Sequence, residues 1–133
     1  MIFIDTGVFI ARVIKRDQYH DRANRRWRRL EKSAQKVFTS NFVINETLTF
    51  LSRCIDQGFA VERGRAIYNS DRLIILRAGL AEEKQALLYF EKYADQGVSF
   101  TDCVSFTLME RNHIREAFTF DRHFAQAGFS IWS

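Results

Sequence analysis

Short apolar runs alternate with longer amphipathic segments along the whole chain. The apolar runs predict β-strands at residues 2–5, 37–40, 73–76, 116–120 and 129–132. Strands that alternate with helices, and that are apolar on both faces, are typical of a parallel sheet covered by helices on both sides. We therefore predict an α/β fold with a central parallel sheet of about five strands.

The segments between these runs show the three- and four-residue periodicity of amphipathic helices. They predict helices at residues 8–14, 18–35, 42–57, 60–71, 80–94, 101–111 and 122–126. Gly58 is interpreted as the stop signal of helix 42–57. In helix 80–94 we expect four residues to face inward, namely Ala86, Leu87, Phe90 and Tyr93. The chain has 133 residues, no Pro and only 6 Gly, so a single domain over residues 1–133 is expected.

The two cysteines bear on the compartment of the protein. Cys54 and Cys103 both fall in apolar helical patterns, which favours reduced core residues of a cytoplasmic protein, with a single disulfide as the alternative. No apolar stretch approaches the roughly 20 residues that a membrane-spanning helix needs. We therefore expect no membrane association.

Four acidic residues lie where a predicted strand is followed by a helix. Asp5 and Asp121 each come at the end of an apolar run. Glu46 and Asp102 are expected in the first turns of two helices that begin at the same edge of the sheet. Because parallel strands end at one edge of a sheet, these carboxylates are expected to converge there. Such a cluster is hard to keep ionised without a divalent cation, which predicts a metal-dependent enzyme.

A purely structural interpretation remains open for each acid taken alone. A single Asp after a strand is commonly a helix cap, which applies to Asp5 and Asp102, and Glu46 can be a solvated helix residue. Helix capping, however, does not require the four acids to lie at one site, so their convergence would favour a metal site. Four hydroxyl residues flank the acids and are predicted polar neighbours of the site: Thr6, Ser99, Thr101 and Thr119.

The positive charge of the chain is concentrated in one segment. Residues 15–36 contain nine Lys or Arg against three acids, so this segment carries more than the whole net charge of +4. An arginine-rich helix face attracts phosphate backbones. The predicted RNA-binding residues are Arg25, Arg26, Arg28 and Arg29. A solvated helix face or a surface for a partner segment are the alternatives, and the spacing of Trp27 indicates a packed residue rather than a base-stacking one.

The motifs around the acids resemble those of PIN domains, in particular the VapC-type toxin nucleases of toxin–antitoxin systems. The matching segments are Ile2-Phe3-Ile4-Asp5-Thr6, Asn45-Glu46, Ser99-Phe100-Thr101-Asp102 and Thr119-Phe120-Asp121-Arg122-His123-Phe124. Each motif alone is weak, and their order and spacing agree over essentially the whole chain.

The resemblance implies a three-layer α/β/α fold and an endoribonuclease that depends on Mg²⁺ or Mn²⁺. It implies that Asp5, Asp102, Glu46 and Asp121 are metal ligands or water-positioning acids, with the first two as the principal ligands. It also implies a cognate antitoxin as a partner and a homodimer. His123 is expected to be a solvated or packed helix residue.

Two other functions are considered. One is a PIN-like RNA-binding module without catalysis. The other is a phosphatase of the haloacid-dehalogenase kind, which requires a second Asp two residues after the first, where this chain has Gly7.

Overall fold

The computed structural model describes residues 1–133 and contains a five-stranded sheet. The strands are β1 (Ile2–Ile4), β2 (Val37–Ser40), β3 (Leu73–Leu76), β4 (Glu116–Phe118) and β5 (Ser130–Ile131). The helices are α1 (Thr6–Val13), α2 (His20–Lys32), α3 (Asn41–Cys54), α4 (Gln57–Tyr68), α5 (Leu80–Lys92), α6 (Phe100–Arg111) and α7 (His123–Gln126). A 3₁₀ turn at Ala94–Gln96 precedes α6.

All strand pairs are parallel, and the strand order is β3-β2-β1-β4-β5. The predicted α/β fold with a parallel sheet is confirmed. The chain moves from β1 toward one edge of the sheet and later returns to the other side of β1, so the strand order reverses between β1 and β4. Ligands of open parallel sheets bind at such a reversal. The register pairs Ile4 with Phe118, which places the carboxyl ends of β1 and β4 side by side.

Helices cover both faces of the sheet. Right-handed crossovers place α1 to α4 on one face, because β1, β2 and β3 follow each other in one direction, and place α5 and α6 on the other face. Aromatic side chains fill both layers. Trp27 of α2 packs against Phe118 on one side, and Phe106 of α6 packs against Phe124 and Phe129 on the other.

The predicted stop signal at Gly58 is wrong. Helix α3 ends at Cys54, and Gly58 lies in the first turn of α4. The break comes from Asp56, whose side chain accepts a hydrogen bond from the backbone N–H of Phe59 at 2.7 Å and so caps the start of α4. A cap of this kind satisfies a helix amide that would otherwise lack a partner.

The predicted inner face of α5 is wrong at two positions. Ala86 and Tyr93 are buried as expected, whereas Leu87 and Phe90 are 55% and 43% exposed. The helix instead packs through Tyr89, whose ring meets Phe106 of α6 edge to face. Amphipathic spacing identified a helix here, but a helix with apolar residues on two sides does not indicate which side is buried.

None of the helices combines the length and the apolar character needed to cross a membrane. Both cysteines are free thiols, Cys54 partly buried and Cys103 in the core.

Candidate metal centre

The ends of β1 and β4 bring Asp5 and Asp121 together through one hydroxyl. The Thr119 hydroxyl donates a hydrogen bond to Oδ2 of Asp5 at 2.8 Å and accepts one from the backbone N–H of Asp121 at 2.9 Å. Asp5 is 5% exposed and Thr119 is 1% exposed. Asp5 occupies the N-cap position of α1, but its side chain makes no capping hydrogen bond. Its carboxylate is therefore oriented by the site rather than by the helix.

Asp102 is the third residue of α6 and takes part in its cap. The Ser99 hydroxyl accepts from the backbone N–H of Asp102 at 3.0 Å, and Oδ2 of Asp102 accepts from the backbone N–H of Ser99 at 3.2 Å. The capping interpretation is thus correct for one carboxylate oxygen. The reciprocal bonds hold the side chain in one orientation, and Thr101 beside it is half-buried.

Glu46 approaches from α3. It lies in the second turn of that helix rather than in the first, because α3 begins at Asn41. Glu46 is half-buried and close enough to Asp102 for its charge to raise the pKa of that carboxyl. Four elements of the fold therefore contribute acids to one edge of the sheet.

The electrostatics show that the four acids share one site. Burial, followed by the charges of Asp102 and Asp121, raises the pKa of Asp5 to about 7, although the hydrogen bond from Thr119 opposes the shift. Burial, then the charge of Asp121 and, more weakly, that of Glu46, raises the pKa of Asp102 to about 6. Buried carboxylates that lie close to one another favour the protonated form unless a cation neutralises their charge.

His123 belongs to the same cluster, although the sequence did not indicate it. Its Nδ1 lies 2.7 Å from Oδ1 of Asp121, but the geometry is not that of a hydrogen bond, and Nδ1 has no hydrogen-bond partner. Oδ1 of Asp121 instead accepts from the backbone N–H of His123 at 2.9 Å. Ligand atoms of Asp102, Asp121 and His123 all lie within 4.8 Å of one another. The only feature of the sequence that linked His123 to this cluster was its position two residues after Asp121.

The donor set fits a divalent cation. Carboxylate oxygens are the ligands that Mg²⁺ and Mn²⁺ prefer, and the four acids supply them, whereas an imidazole nitrogen such as that of His123 is more typical of Zn²⁺ or Fe²⁺ sites. Two buried polar atoms at this edge, Oγ1 of Thr6 and Nδ1 of His123, have no hydrogen-bond partner within the protein. Unpaired buried polar atoms are costly unless a ligand or water satisfies them.

A largely apolar cavity lies away from the acids. It has a volume of about 270 Å³, lies between α1, α2, α4 and β3, and none of the four acids lines it. Its walls include Phe9, Trp27 and Leu51 together with Arg12 and Arg63. The acids lie outside this cavity, at the edge formed by the carboxyl ends of β1 and β4.

Three arginines of α2 lie against aromatic rings. Arg22 faces Tyr19, Arg26 faces Phe120 and Arg29 faces Trp132, with distances from the guanidinium carbon to the ring centroid of 5.6, 5.8 and 5.6 Å. We call these residues the arginine row. Of the four arginines predicted to bind RNA, Arg26 and Arg29 belong to the row, whereas Arg25 and Arg28 are exposed outside it. Arg22 was not among the predicted residues.

No side-chain carboxylate lies within 4.0 Å of the arginine row, and Arg29 donates a hydrogen bond to the backbone oxygen of Ser133 at 2.8 Å. The side-chain ion pairs within 4.0 Å join Arg111 to Glu82 and His123 to Asp121. Trp27 packs in the core against Phe9 and Phe118, as its spacing predicted.

Comparison with known proteins gives a family match, a curated relative and solved structures with the same fold. The PIN domain family model matches residues 2–130. The chain is 33% identical over 129 residues to the 23S rRNA-specific endonuclease VapC20 of Mycobacterium tuberculosis, covering 97% of this chain and 95% of the relative. The crystal structure of that protein, a sarcin-ricin loop cleaving toxin, superposes with a TM-score of 0.87 at 32% identity, with 97% of this chain and 96% of the other covered.

More distant structures share the fold. VapBC2 from Rickettsia felis, bound to a fragment of promoter DNA, matches with a TM-score of 0.72 at 13% identity, over 99% of this chain and 98% of the other. FitAcB from Neisseria gonorrhoeae matches with a TM-score of 0.66 at 15% identity, over 100% and 97%.

Proposed function

The chain belongs to the PIN domain family, and from this premise we propose that it is a metal-dependent endoribonuclease and the toxin of a type II toxin–antitoxin pair. The observation that carries the proposal is the cluster at the β1–β4 edge, where Thr119 holds Asp5 and ligand atoms of Asp102, Asp121 and His123 lie within 4.8 Å of one another. Burial raises the pKa of Asp5 and of Asp102, and a bound cation would counteract that shift. Perturbed carboxylates that share one edge of a parallel sheet are typical of an active site.

Asp5 and Asp102 are the proposed principal ligands of Mg²⁺ or Mn²⁺, and Glu46, Asp121 and His123 complete the donor set. When bound, such an ion neutralises phosphate charge and lowers the pKa of a coordinated water. The protein's own contribution is orientation. The Thr119 hydroxyl fixes Asp5, and the cap of α6 fixes Asp102, so that both carboxylates face the substrate without rearrangement.

The proposed reaction is hydrolysis of a phosphodiester bond in RNA. A water oxygen forms the new bond to phosphorus, the bond from phosphorus to one ribose oxygen breaks, and the leaving oxygen takes up a proton. Ribosomal RNA is the first substrate class to test, because the relative with 33% identity is a 23S rRNA-specific endonuclease.

The experiment is cleavage of a transcript of the large-subunit sarcin–ricin loop and of total ribosomal RNA in the presence of Mg²⁺ or Mn²⁺. We expect the wild-type protein to cut, and Asp5→Asn and Asp102→Asn to lose activity. Asp95→Asn is the matched control, because Asp95 is an exposed acid in the turn before α6. Cleavage that survives in both site variants would refute the proposed site.

We propose that an antitoxin segment occupies the cavity between α1, α2 and α4. The apolar walls fit apolar side chains, and the three arginines that line the cavity (Arg12, Arg63 and Arg72) outnumber its one acid, Glu31, so the lining favours a segment that carries a carboxylate. Burial, then the charge of Arg63, lowers the pKa of Arg12 to about 10, and Nε of Arg12 has no hydrogen-bond partner. Arg63→Glu is expected to weaken binding of the product of an adjacent small reading frame, while RNA cleavage by the free protein is unchanged.

We propose that α5 forms a homodimer interface. Four of its large apolar residues are 43–68% exposed: Leu80, Leu87, Leu88 and Phe90. An apolar patch of this kind is typical of an interaction site. Leu87→Glu is expected to convert a dimer to a monomer in light scattering. Val61→Glu, at an exposed residue of α4, is expected to leave the mass unchanged.

We place the protein in the cytoplasm, consistent with its two free thiols.

A further inference from the structure

Tyr19 and Phe120 form a stacked aromatic pair beside the acids, which we call the aromatic ledge. The two rings are nearly parallel, at 5°, with centroids 4.4 Å apart. Phe120 lies in the chain between Thr119 and Asp121, and Tyr19 directly precedes α2. The ledge therefore connects the candidate metal centre to the arginine row.

The ledge is rigid but remains accessible. Phe120 packs edge to face on the fully buried Phe118, with centroids 6.2 Å apart, which anchors the pair to the sheet. Tyr19 and Phe120 are nevertheless only half-buried. Anchored rings that remain open to solvent are typical platforms for unpaired bases.

The charges around the ledge favour an anionic ligand. Arg22 lies over Tyr19 and Arg26 lies over Phe120, and neither forms an ion pair with an acid. Burial, then the charges of Arg22 and Arg29, lowers the pKa of Arg26, which shows that like charges crowd this face. Phosphates relieve such crowding, and a pair of aromatic rings flanked by arginines combines the groups that stack bases with the groups that bind phosphates of a single strand.

We propose that one unpaired base of the RNA substrate stacks on an outer ring face of the aromatic ledge, close to the bond that is cut, and that Arg22 and Arg26 turn from the rings to the flanking phosphates. The proposal rests on the proposed ribonuclease function for the identity of the substrate. It makes Tyr19 and Phe120 positioning residues, since they bind RNA and take no part in the chemistry. It also gives a role to Arg22, which lies outside the acidic cluster.

The test measures binding of a short single-stranded RNA by fluorescence anisotropy in EDTA, where cleavage is blocked. Tyr19→Leu and Phe120→Leu keep apolar volume and remove the ring. We expect each to raise the dissociation constant by about tenfold. Tyr19→Phe retains the ring and is expected to bind within about twofold of the wild type. Tyr68→Leu is the control, because Tyr68 is an exposed aromatic residue of α4.

An abasic nucleotide, scanned along the same RNA, identifies stacking itself. At one position of the RNA, the losses of binding free energy caused by the missing base and by the missing ring are expected to be non-additive. On the RNA that is abasic at that position, Phe120→Leu should no longer weaken binding. Additive losses at every position would overturn the proposal. If Phe120→Leu has a lowered melting temperature, the pair Tyr19→Leu and Tyr19→Phe carries the same test.

Three outcomes bear on this proposal, and the first and third separate it from the proposed function. Unchanged RNA affinity in both leucine variants, with normal cleavage by the wild type, overturns the ledge and leaves the nuclease intact. If Tyr19→Leu and Phe120→Leu weaken binding of polyglutamate but leave RNA binding unchanged, the ledge binds an acidic protein partner. That result would also overturn the proposal that it stacks an RNA base. Ring-dependent RNA binding without any cleavage by the wild type supports the ledge and contradicts the nuclease.

Discussion

Thr119 and Asp5 are joined by a 2.8 Å hydrogen bond, although 114 positions separate them in the chain. The same hydroxyl accepts from the backbone of Asp121. The Thr119 side chain, just after β4, therefore positions both the Asp5 carboxylate at the end of β1 and the backbone of Asp121. The parallel pairing of β1 and β4 makes this contact possible, because it brings both strand ends to one edge.

Thr119→Val tests this connection. The substitution removes the hydroxyl, so the pKa of Asp5 is expected to rise further and the site to hold a cation more weakly. We expect cleavage to fall about 10–100-fold, as for the loss of a group that orients a ligand. The free energy of unfolding is expected to fall by about 1–3 kcal/mol, because buried groups lose partners.

Thr107→Val is the matched control for that prediction. Thr107 is also buried, and its hydroxyl donates to the backbone oxygen of Cys103 at 2.9 Å within α6. It should lose stability without loss of cleavage per folded molecule. Equal activity of the two variants, measured with equal folded fractions, would contradict the assigned role of Thr119.

The metal-free protein is expected to lose stability as the pH rises. The pKa of Asp5 is about 7 in the folded state and near 3.8 when unfolded, so the folded state binds more protons between these values. The free energy of unfolding therefore falls from about pH 4 to about pH 7 and stays low above it. Asp102 contributes in the same direction up to about pH 6.

Asp5→Asn removes this penalty. In EDTA the variant should be more stable than the wild type above about pH 7, by roughly 2–4 kcal/mol, and similar to it near pH 4. Urea unfolding at the two pH values measures the difference. A variant that is destabilised equally at both would show that burial of a charged Asp5 carries no cost.

Ser99→Ala separates capping from site geometry. The substitution removes the acceptor of the Asp102 N–H and loosens the Asp102 carboxylate, so stability should fall by about 1 kcal/mol and cleavage should fall as well. Asp56→Ala removes the equivalent cap of α4 and should cost similar stability with full cleavage. Loss of activity in both variants would indicate a general effect of stability.

The arginine row is expected to set the salt dependence of RNA binding. The double variant Arg22→Gln/Arg26→Gln should lower the slope of log affinity against log salt by about 0.7 for each phosphate that is no longer neutralised. Arg28→Gln/Lys32→Gln removes the same charge from the same helix, at residues that face no aromatic ring, and should change the slope less. Equal slopes in both would mean that only the net charge of α2 matters.

The sequence predicted the sheet and the convergence of the acids for a simple reason. Apolar runs identify buried parallel strands, and the ends of parallel strands share an edge, so Asp5 and Asp121 were expected at the same edge. That they lie side by side depends on the pairing of β1 with β4, which the sequence did not indicate. Nor could the sequence predict the role of His123, because an isolated histidine two residues after an acid gives no indication of where its ring points.

Packing between helices was the part least accessible from the sequence. Leu87 and Phe90 have the spacing of an inner face, yet Tyr89 packs on Phe106 in the middle of α6, while Phe90 reaches only Phe100 at the start of α6 and Leu87 is 55% exposed. The break between α3 and α4 depends on the Asp56 cap and not on Gly58, and the pattern does not rank these two signals. The stacking of Tyr19 on Phe120 joins residues 101 positions apart, which no local pattern encodes.

The central claim is that the acids at the β1–β4 edge hold a divalent cation. Titration calorimetry with Mn²⁺ tests it most directly, on the wild type, Asp5→Asn, Asp102→Asn and the exposed control Asp95→Asn. We predict saturable binding by the wild type and the control, and affinity at least about tenfold lower in both site variants. Absence of Mn²⁺ binding by the wild type, or equal affinity in all four proteins, would contradict this claim and favour an RNA-binding module without catalysis.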